Sequence, residues 1–190
     1  MKNVIILHGC PGKEEYYDPK ASSASNAHWL PWLQAQLLKH EISASTPEVP
    51  HSYDCNWETW KREVEHFDIG PETILVGHSA GSGFWVKYLS INRDLKVDKV
   101  VLVAPWLDPD RDRTKNFFDD FEIDPNLVDR TAGITIFNSD NDQESVQKTT
   151  RLIRGKVKGV NYREFHNYGH FCFKDMRSME FPELLSVLIG

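Results

Sequence analysis

The chain has 190 residues, 40% of them hydrophobic and 26% charged, with a formal net charge of −6. That length and balance are those of one globular domain built around a single core. The negative charge argues against nucleic acid or an anionic membrane as the main partner, and the longest apolar runs, such as "VVLVAPWL", fall far short of the ~18 residues a spanning helix needs.

Short β-branched runs recur along the chain and predict strands at Asn3–His8, Thr73–Gly77, Val97–Ala104, Gly133–Asn138 and Gly159–Phe165, with a weaker one at Ser43–Val49. Between them lie segments with helical spacing. The first is "HWLPWLQAQLLKH", with Leu30, Leu33, Leu37 and Leu38 on one face. The second is "NWETWKREVEHF", with Trp57, Trp60, Val64 and Phe67. Further helices are expected over Ser82–Ile91, Gln143–Arg154 and Ser178–Ile189. Continuous apolar runs are what parallel strands covered on both faces look like. Strands alternating with helices predict an α/β fold, a single doubly wound and mostly parallel sheet flanked by helices. One stretch breaks the rhythm. Residues 106–130, acidic, Pro-bounded and aromatic, are read as a short lid-like insert within the one domain 1–190.

The three cysteines, Cys10, Cys55 and Cys172, are too few and too scattered for a disulfide framework or a zinc site. An odd count with no signal-peptide pattern is read as reduced thiols in a cytoplasmic protein. "LHGC" loosely resembles a lipoprotein cleavage site, but the preceding apolar run, Val4–Leu7, is too short for a signal-peptide core of ~7–15 residues.

"TILVGHSAGSGF" carries a strand straight into a helix through a serine bracketed by two glycines, Gly77 and Gly81. It matches the G-x-S-x-G elbow, in which the serine hydroxyl stands clear at the carboxyl edge of the sheet. Gly77 and Gly81 keep neighbouring chain away, and the helix starting near Ala80 adds free N–H groups and a positive dipole end. The plainer account is that Ser79 is a helix N-cap. A serine nucleophile needs a base, and the base needs an orienting carboxylate, in the chain order Ser, Asp or Glu, His. Downstream, "GITIFNSDNDQESV" ends a strand with Asp140 and Asp142, and "YREFHNYGHFCF" ends another with His166 and His170. Gly169 lets the loop turn His170 back toward the sheet edge, whereas His166 is placed to pack locally. The backbone N–H groups of Cys10 and Ala80 are the expected oxyanion donors. Cys10 beside His8 is a rival nucleophile.

Together these residues resemble the alpha/beta-hydrolase superfamily. More narrowly, the chain is similar to the small serine hydrolases that include retinoblastoma-binding protein 9 and the YdeN-like proteins. The likeness runs over nearly the whole length. It rests on "VIILHGCPG", "AHWLPWLQAQL", "TILVGHSAGS", "KVVLVAPW", "FNSDNDQESV" and "NYGHF", with His28-Trp29-Leu30-Pro31-Trp32 the stretch most particular to the subgroup. The resemblance implies Ser79 as nucleophile and His170 as base. Relatives tend to carry Ser-x-Asp-Asp-Pro where this chain reads Ser139-Asp140-Asn141-Asp142-Gln143, which puts Asp142 in the acidic place. The chain departs from that pattern at Asn141 and Gln143, and at Cys10-Pro11, where relatives are richer in glycine. "KEEYYDPKASSASN" looks like an insertion at the site mouth.

The expectation is a serine hydrolase acting on a small ester, thioester or amide through an acyl-enzyme, with no cofactor and no metal. Substrate contacts are expected from His8, His28 and Trp106. Phe117, Phe118 and Phe121 would either line an acyl pocket or form the core that attaches the insert. The insert's acidic residues (Asp108, Asp110, Asp112, Asp119, Asp120, Glu122, Asp124) are read mainly as a solvated face. The partner is a small acyl substrate, with neither nucleic acid nor membrane; a protein partner stays open. Two other readings use the same chain: a silent hydrolase fold serving as a scaffold, marked by exposed aromatics away from the serine, and haloperoxidase-like or transferase chemistry on the same residues.

Overall fold

Six parallel strands make one sheet in the computed structural model, which describes residues 2–190. They are β1 (Asn3–Leu7), β2 (Ser43–Ser45), β3 (Thr73–His78), β4 (Lys99–Val103), β5 (Gly133–Ser139) and β6 (Asn161–Phe165), in the order β2-β1-β3-β4-β5-β6. Seven α-helices lie among the described residues: α1 (Lys13–Tyr17), α2 (Leu30–Lys39), α3 (Trp57–Val64), α4 (Ala80–Ile91), α5 (Glu144–Lys156), α6 (Phe173–Met176) and α7 (Pro182–Ile189). None of them is long and apolar enough to cross a membrane.

The expected doubly wound sheet is therefore present, and it is parallel throughout. The apolar runs explain why. β3 is buried along its whole length, and β1 and β4 are buried beyond their first residue, as central parallel strands must be. β6 is the exception, an edge strand that leaves Arg163 and Glu164 exposed. Charge on an edge discourages pairing with another chain. β2 stops at Ser45 instead of running on to Val49, because Pro47 and Pro50 cannot donate to a ladder. The last helix begins at Pro182, not Ser178; proline suits a first helical position, where the N–H has no acceptor. The insertion after β1 holds the short α1, which the sequence pattern did not disclose.

The chain runs outward from β1 to β2, then crosses back to β3 on the other side of β1. The reversal lies between β1 and β3, where Leu7 pairs with Gly77. In open parallel sheets, ligands bind beyond the carboxyl ends of the strands at such a reversal. His8-Gly9 and His78-Ser79 leave the sheet side by side there. The glycines flanking Ser79 are required by close approach. A Cβ on Gly81 would run into the carbonyls of Leu7 and His8, and one on Gly77 into the backbone of Gly81 and Ser82. The start of α4 thus sits directly against the ends of β1 and β3.

Residues 106–130 are irregular apart from a 3₁₀ turn at Leu127–Arg130. They are fastened to α4. Phe117 and Phe118 are buried, with Phe117 against Trp60 and Phe84. Lys87 of α4, itself buried, donates from Nζ to the carbonyls of Phe117 and Asp119, both at 2.9 Å, beneath the ring of Trp57. Arg130 closes the far end on Asp124 at 2.7 Å and on the carbonyls of Leu89 and Leu95. The insert's phenylalanines at 117 and 118 are therefore anchoring core and do not line the site.

Candidate active site

Ser79 stands between β3 and α4 with φ 54° and ψ −119°, a backbone conformation side-chain-bearing residues rarely hold. Its hydroxyl does not cap α4. It meets Nε2 of His170 at 2.9 Å, and Nδ1 of His170 lies 3.0 Å from both carboxylate oxygens of Asp142. A carboxylate only accepts, so Nδ1 carries the proton and Nε2 is left to accept from the serine. Asp142, at the end of the β5 loop, has a side chain only 1% exposed, while that of His170 is 19% exposed. The pair is sheltered yet open on the serine side.

The other two candidates form a pair of their own. His166 Nδ1 donates to Asp140 at 2.7 Å, and the Asn167 N–H donates to the other oxygen of Asp140 at 2.9 Å. With side chains 77% and 39% exposed, this pair sits in solvent, apart from the serine. The departure at Asn141 also acquires a role. Its Oδ1 accepts from Ser139 Oγ and from the Gly169 N–H, both at 2.8 Å, stitching the aspartate loop to the histidine loop.

Residues that pattern-reading left unassigned hold His170 in place. His78 Nε2 donates to the His170 carbonyl at 2.8 Å, and Asp175 of α6 accepts from the His170 N–H at 3.0 Å. Gly169, at φ 52°, turns the chain directly against Asp175. Gly9 is a second unassigned residue: a Cβ there would stand 3.1 Å from Ser79 Cβ. Only the elbow position of His78 and the glycine after His8 were visible beforehand, and neither pattern names a partner.

The sequence model of the family described as serine hydrolase matches residues 19–186. The chain belongs to the serine hydrolase family. It is 24% identical over 179 residues to the hydrolase YdeN of Bacillus subtilis, across 90% of this chain and 86% of that protein. The crystal structure of the B. subtilis ydeN product gives a TM-score of 0.79 at 22% identity, covering 99% of this chain and 97% of that one. A YdeN-like hydrolase of Pectobacterium atrosepticum gives 0.64 at 18% identity, covering 99% and 89%. Est1E of Butyrivibrio proteoclasticus, solved with ferulic acid bound, gives 0.63 at 14% identity, covering 100% and 86%. The fold is that of the alpha/beta hydrolases, and the chain is similar to YdeN along nearly its whole length.

In this hydrolase a cleft of about 1020 Å³ opens over Ser79 and His170. His28 and Trp106 line it, as does Tyr16 of the insertion at the mouth. The Trp106 N–H donates to the Ser79 carbonyl at 3.2 Å. His28 Nδ1 accepts from the Phe173 N–H at 3.3 Å. His8 borders the cleft but has no nitrogen to offer a substrate. Its Nδ1 donates to the Gly9 carbonyl at 2.7 Å, and its Nε2 accepts from the Val49 N–H at 3.0 Å.

The thiols require a correction. Cys10 and Cys55 form a disulfide across 45 residues, joining the loop after β1 to the turn before α3. Only Cys172 is free, and burial pushes its thiol up to about 12. The expectation of three reduced thiols is overturned, and with it the thiol argument for a cytoplasmic setting. Sequence spacing hid the pair because the two loops meet only through the β1–β3 reversal. Cys10 is also removed as a rival nucleophile, since its sulfur is bonded. Loop-closure entropy for a span of this length corresponds to about 4 kcal/mol in the chain-entropy account. Urea unfolding of Cys10→Ser/Cys55→Ser is therefore expected to show a loss of roughly 2–4 kcal/mol. An unchanged midpoint would mean that the bridge does not constrain the unfolded chain.

Acid should also weaken the fold. Burial lowers the pKa of His8, and burial together with the neighbouring His170 and His28 drives His78 well below the usual 6.5. Both are neutral when folded, whereas the unfolded chain takes up protons below 6.5. Stability is thus full above that pH and falls as pH drops from it toward the folded-state values, by about 1.4 kcal/mol per unit for each imidazole kept neutral. The exposed His166, raised by its hydrogen bond to Asp140, acts in the opposite sense. Thermal unfolding should give a Tm that is level above neutrality and falls between pH 6.5 and about 5. A level Tm across that window would contradict two buried neutral imidazoles.

Proposed function

We propose that this hydrolase transfers the acyl group of a small ester, thioester or amide to water, using Ser79 as nucleophile, His170 as base and Asp142 as orienting carboxylate. The observation that carries the reading is the 2.9 Å contact from Ser79 Oγ to His170 Nε2, with Asp142 on the opposite ring nitrogen. His170 takes the serine proton as the hydroxyl attacks the carbonyl, and Asp142 stabilises the imidazolium that forms. Oxyanion stabilisation falls to the N–H groups of Cys10 and Ala80. Ala80 opens α4, so its N–H has no carbonyl a turn below it. Gly9, bare of a side chain beside Ser79, leaves the carbonyl carbon room to approach. The imidazolium then protonates the leaving group, and water repeats the sequence on the acyl-enzyme. No step calls for a cofactor. The fold likeness to an esterase of Exiguobacterium antarcticum makes an ester the first class to try.

The scaffold reading has less support. Phe173 and Met179, among the exposed large apolar side chains, line the cleft, and Tyr17 packs on Tyr53 of the same mouth. The deciding experiment is intact-mass labelling with a fluorophosphonate probe. Stoichiometric labelling of the wild type, lost in His170→Ala, is expected. A folded wild-type protein that takes up no probe would overturn the acyl-enzyme reading.

A further inference from the structure

The insert is rich in carboxylates, yet none of them lines the cleft. It contributes Trp106, Arg113 and Thr114 there. The Arg113 guanidinium lies over the Trp106 ring, 5.6 Å from its centre, and Trp106 is the residue whose backbone is bonded to Ser79. No carboxylate among the described residues pairs with that guanidinium. Its backbone is nonetheless held. The carboxylate of Asp108, a buried residue, accepts from the N–H groups of Arg113 and Thr114 and from the Thr114 hydroxyl, at 2.7–3.2 Å. The root of Arg113 is fixed, its guanidinium lies on an aromatic shelf, and the residue lines the cleft.

Glu15, Glu48 and Lys174 are the other charged residues of the cleft lining. Glu15 and Lys174 both lie close enough to His28 to act on it, in opposite senses. Glu48 is committed to the Ser25 N–H at 2.8 Å. What sets Arg113 apart from Lys174 is its seat on Trp106, whose N–H donates to the Ser79 carbonyl. Guanidinium binds carboxylate through two parallel N–H donors, and stacking on an indole preorganises that fork. We propose that Arg113, seated on Trp106, selects substrates whose acyl part carries a carboxylate at the end away from the scissile carbonyl. The inference rests on the acyl-transfer reading above and names the substrate class of that same site.

The test compares two esters with one leaving group, p-nitrophenyl butyrate and mono-p-nitrophenyl glutarate. Wild-type kcat/KM should favour the glutarate ester by on the order of 10-fold or more, chiefly through KM, as a charge-assisted hydrogen-bonded pair would give. The preference should disappear in Arg113→Gln and return in part in Arg113→Lys. It should persist in Arg111→Gln, a cation of the same insert outside the cleft lining. Raising ionic strength from about 0.05 to 0.5 M should shrink it, because the pair is open to solvent. Fluorophosphonate labelling of the same preparations separates the two ideas. A labelled enzyme with no preference for the charged ester, or with a preference that Arg113→Gln leaves intact, overturns this inference alone. Absence of both labelling and turnover overturns the acyl-transfer reading and this inference with it.

Discussion

Replacement of Ser79 by alanine is expected to lower ester turnover by on the order of 10⁴-fold or more, with complete loss of fluorophosphonate labelling. The change should leave the fold in place, for two reasons. The hydroxyl makes no cap bond to α4, so the helix loses nothing at its start. The backbone at φ 54° is already held against a Cβ, and alanine presents the same Cβ to it. Kinetics with p-nitrophenyl acetate, alongside urea unfolding of both proteins, check the two halves of the statement. Retention of more than about 1% of turnover would place the nucleophile elsewhere, since that residue's loss leaves only binding and oxyanion effects. The cysteines offer no ready substitute: Cys10 is bonded to Cys55, and burial holds the Cys172 thiol up at about 12.

The second large effect separates two aspartates that lie two positions apart. Asp142→Asn is expected to cost on the order of 10³–10⁴-fold in kcat, and Asp140→Asn no more than about threefold. An amide at 142 can donate to Nδ1 of His170, which places the imidazole proton on Nε2. That nitrogen then faces the Ser79 hydroxyl as a donor and cannot take its proton. Asp140 serves a different histidine. Its bonds run to His166 and to the Asn167 N–H, and His166 is 77% exposed. The steady-state rate of each variant, with circular dichroism to confirm folding, makes the comparison. Equal losses at the two positions would mean that the two Asp–His pairs act as one unit, which the geometry does not show.

The strands and the principal helices were legible because their signals are local. β1, β3 and β4 are apolar runs bounded by polar ends. α3 repeats Trp57, Trp60 and Val64 at helical spacing, and Asn56 caps it through the Thr59 N–H at 3.0 Å. Ser79 was legible for the same kind of reason. Gly77 and Gly81 must bracket it so that α4 can start against the ends of β1 and β3, and that constraint is written in five adjacent positions. The choice between Asp140 and Asp142 was not legible from the residues alone. Both sit in one loop, and only the position of the histidine loop across the edge strand decides which carboxylate each imidazole meets. α1 and α6 were missed because helices of five and four residues are too short for a period to show.

The sequence by itself determined the alternation of strand and helix, the elbow at Ser79, and the chain order of serine, aspartate and histidine. The first two depend on residues within a few positions of one another, and the third is an order read directly along the chain. The tertiary structure alone decided that Cys10 bonds to Cys55 and that both nitrogens of His8 are spent on backbone. It also decided that Asn141 joins two loops, and that an acidic insert contributes Arg113 to the cleft lining. Those outcomes depend on which loops the β1–β3 reversal brings together, over separations of 45 residues for the disulfide, 41 for His8 and Val49, and 28 for Asn141 and Gly169. Local periodicity carries no information at that range, because the contacts exist only once the sheet has closed around its core.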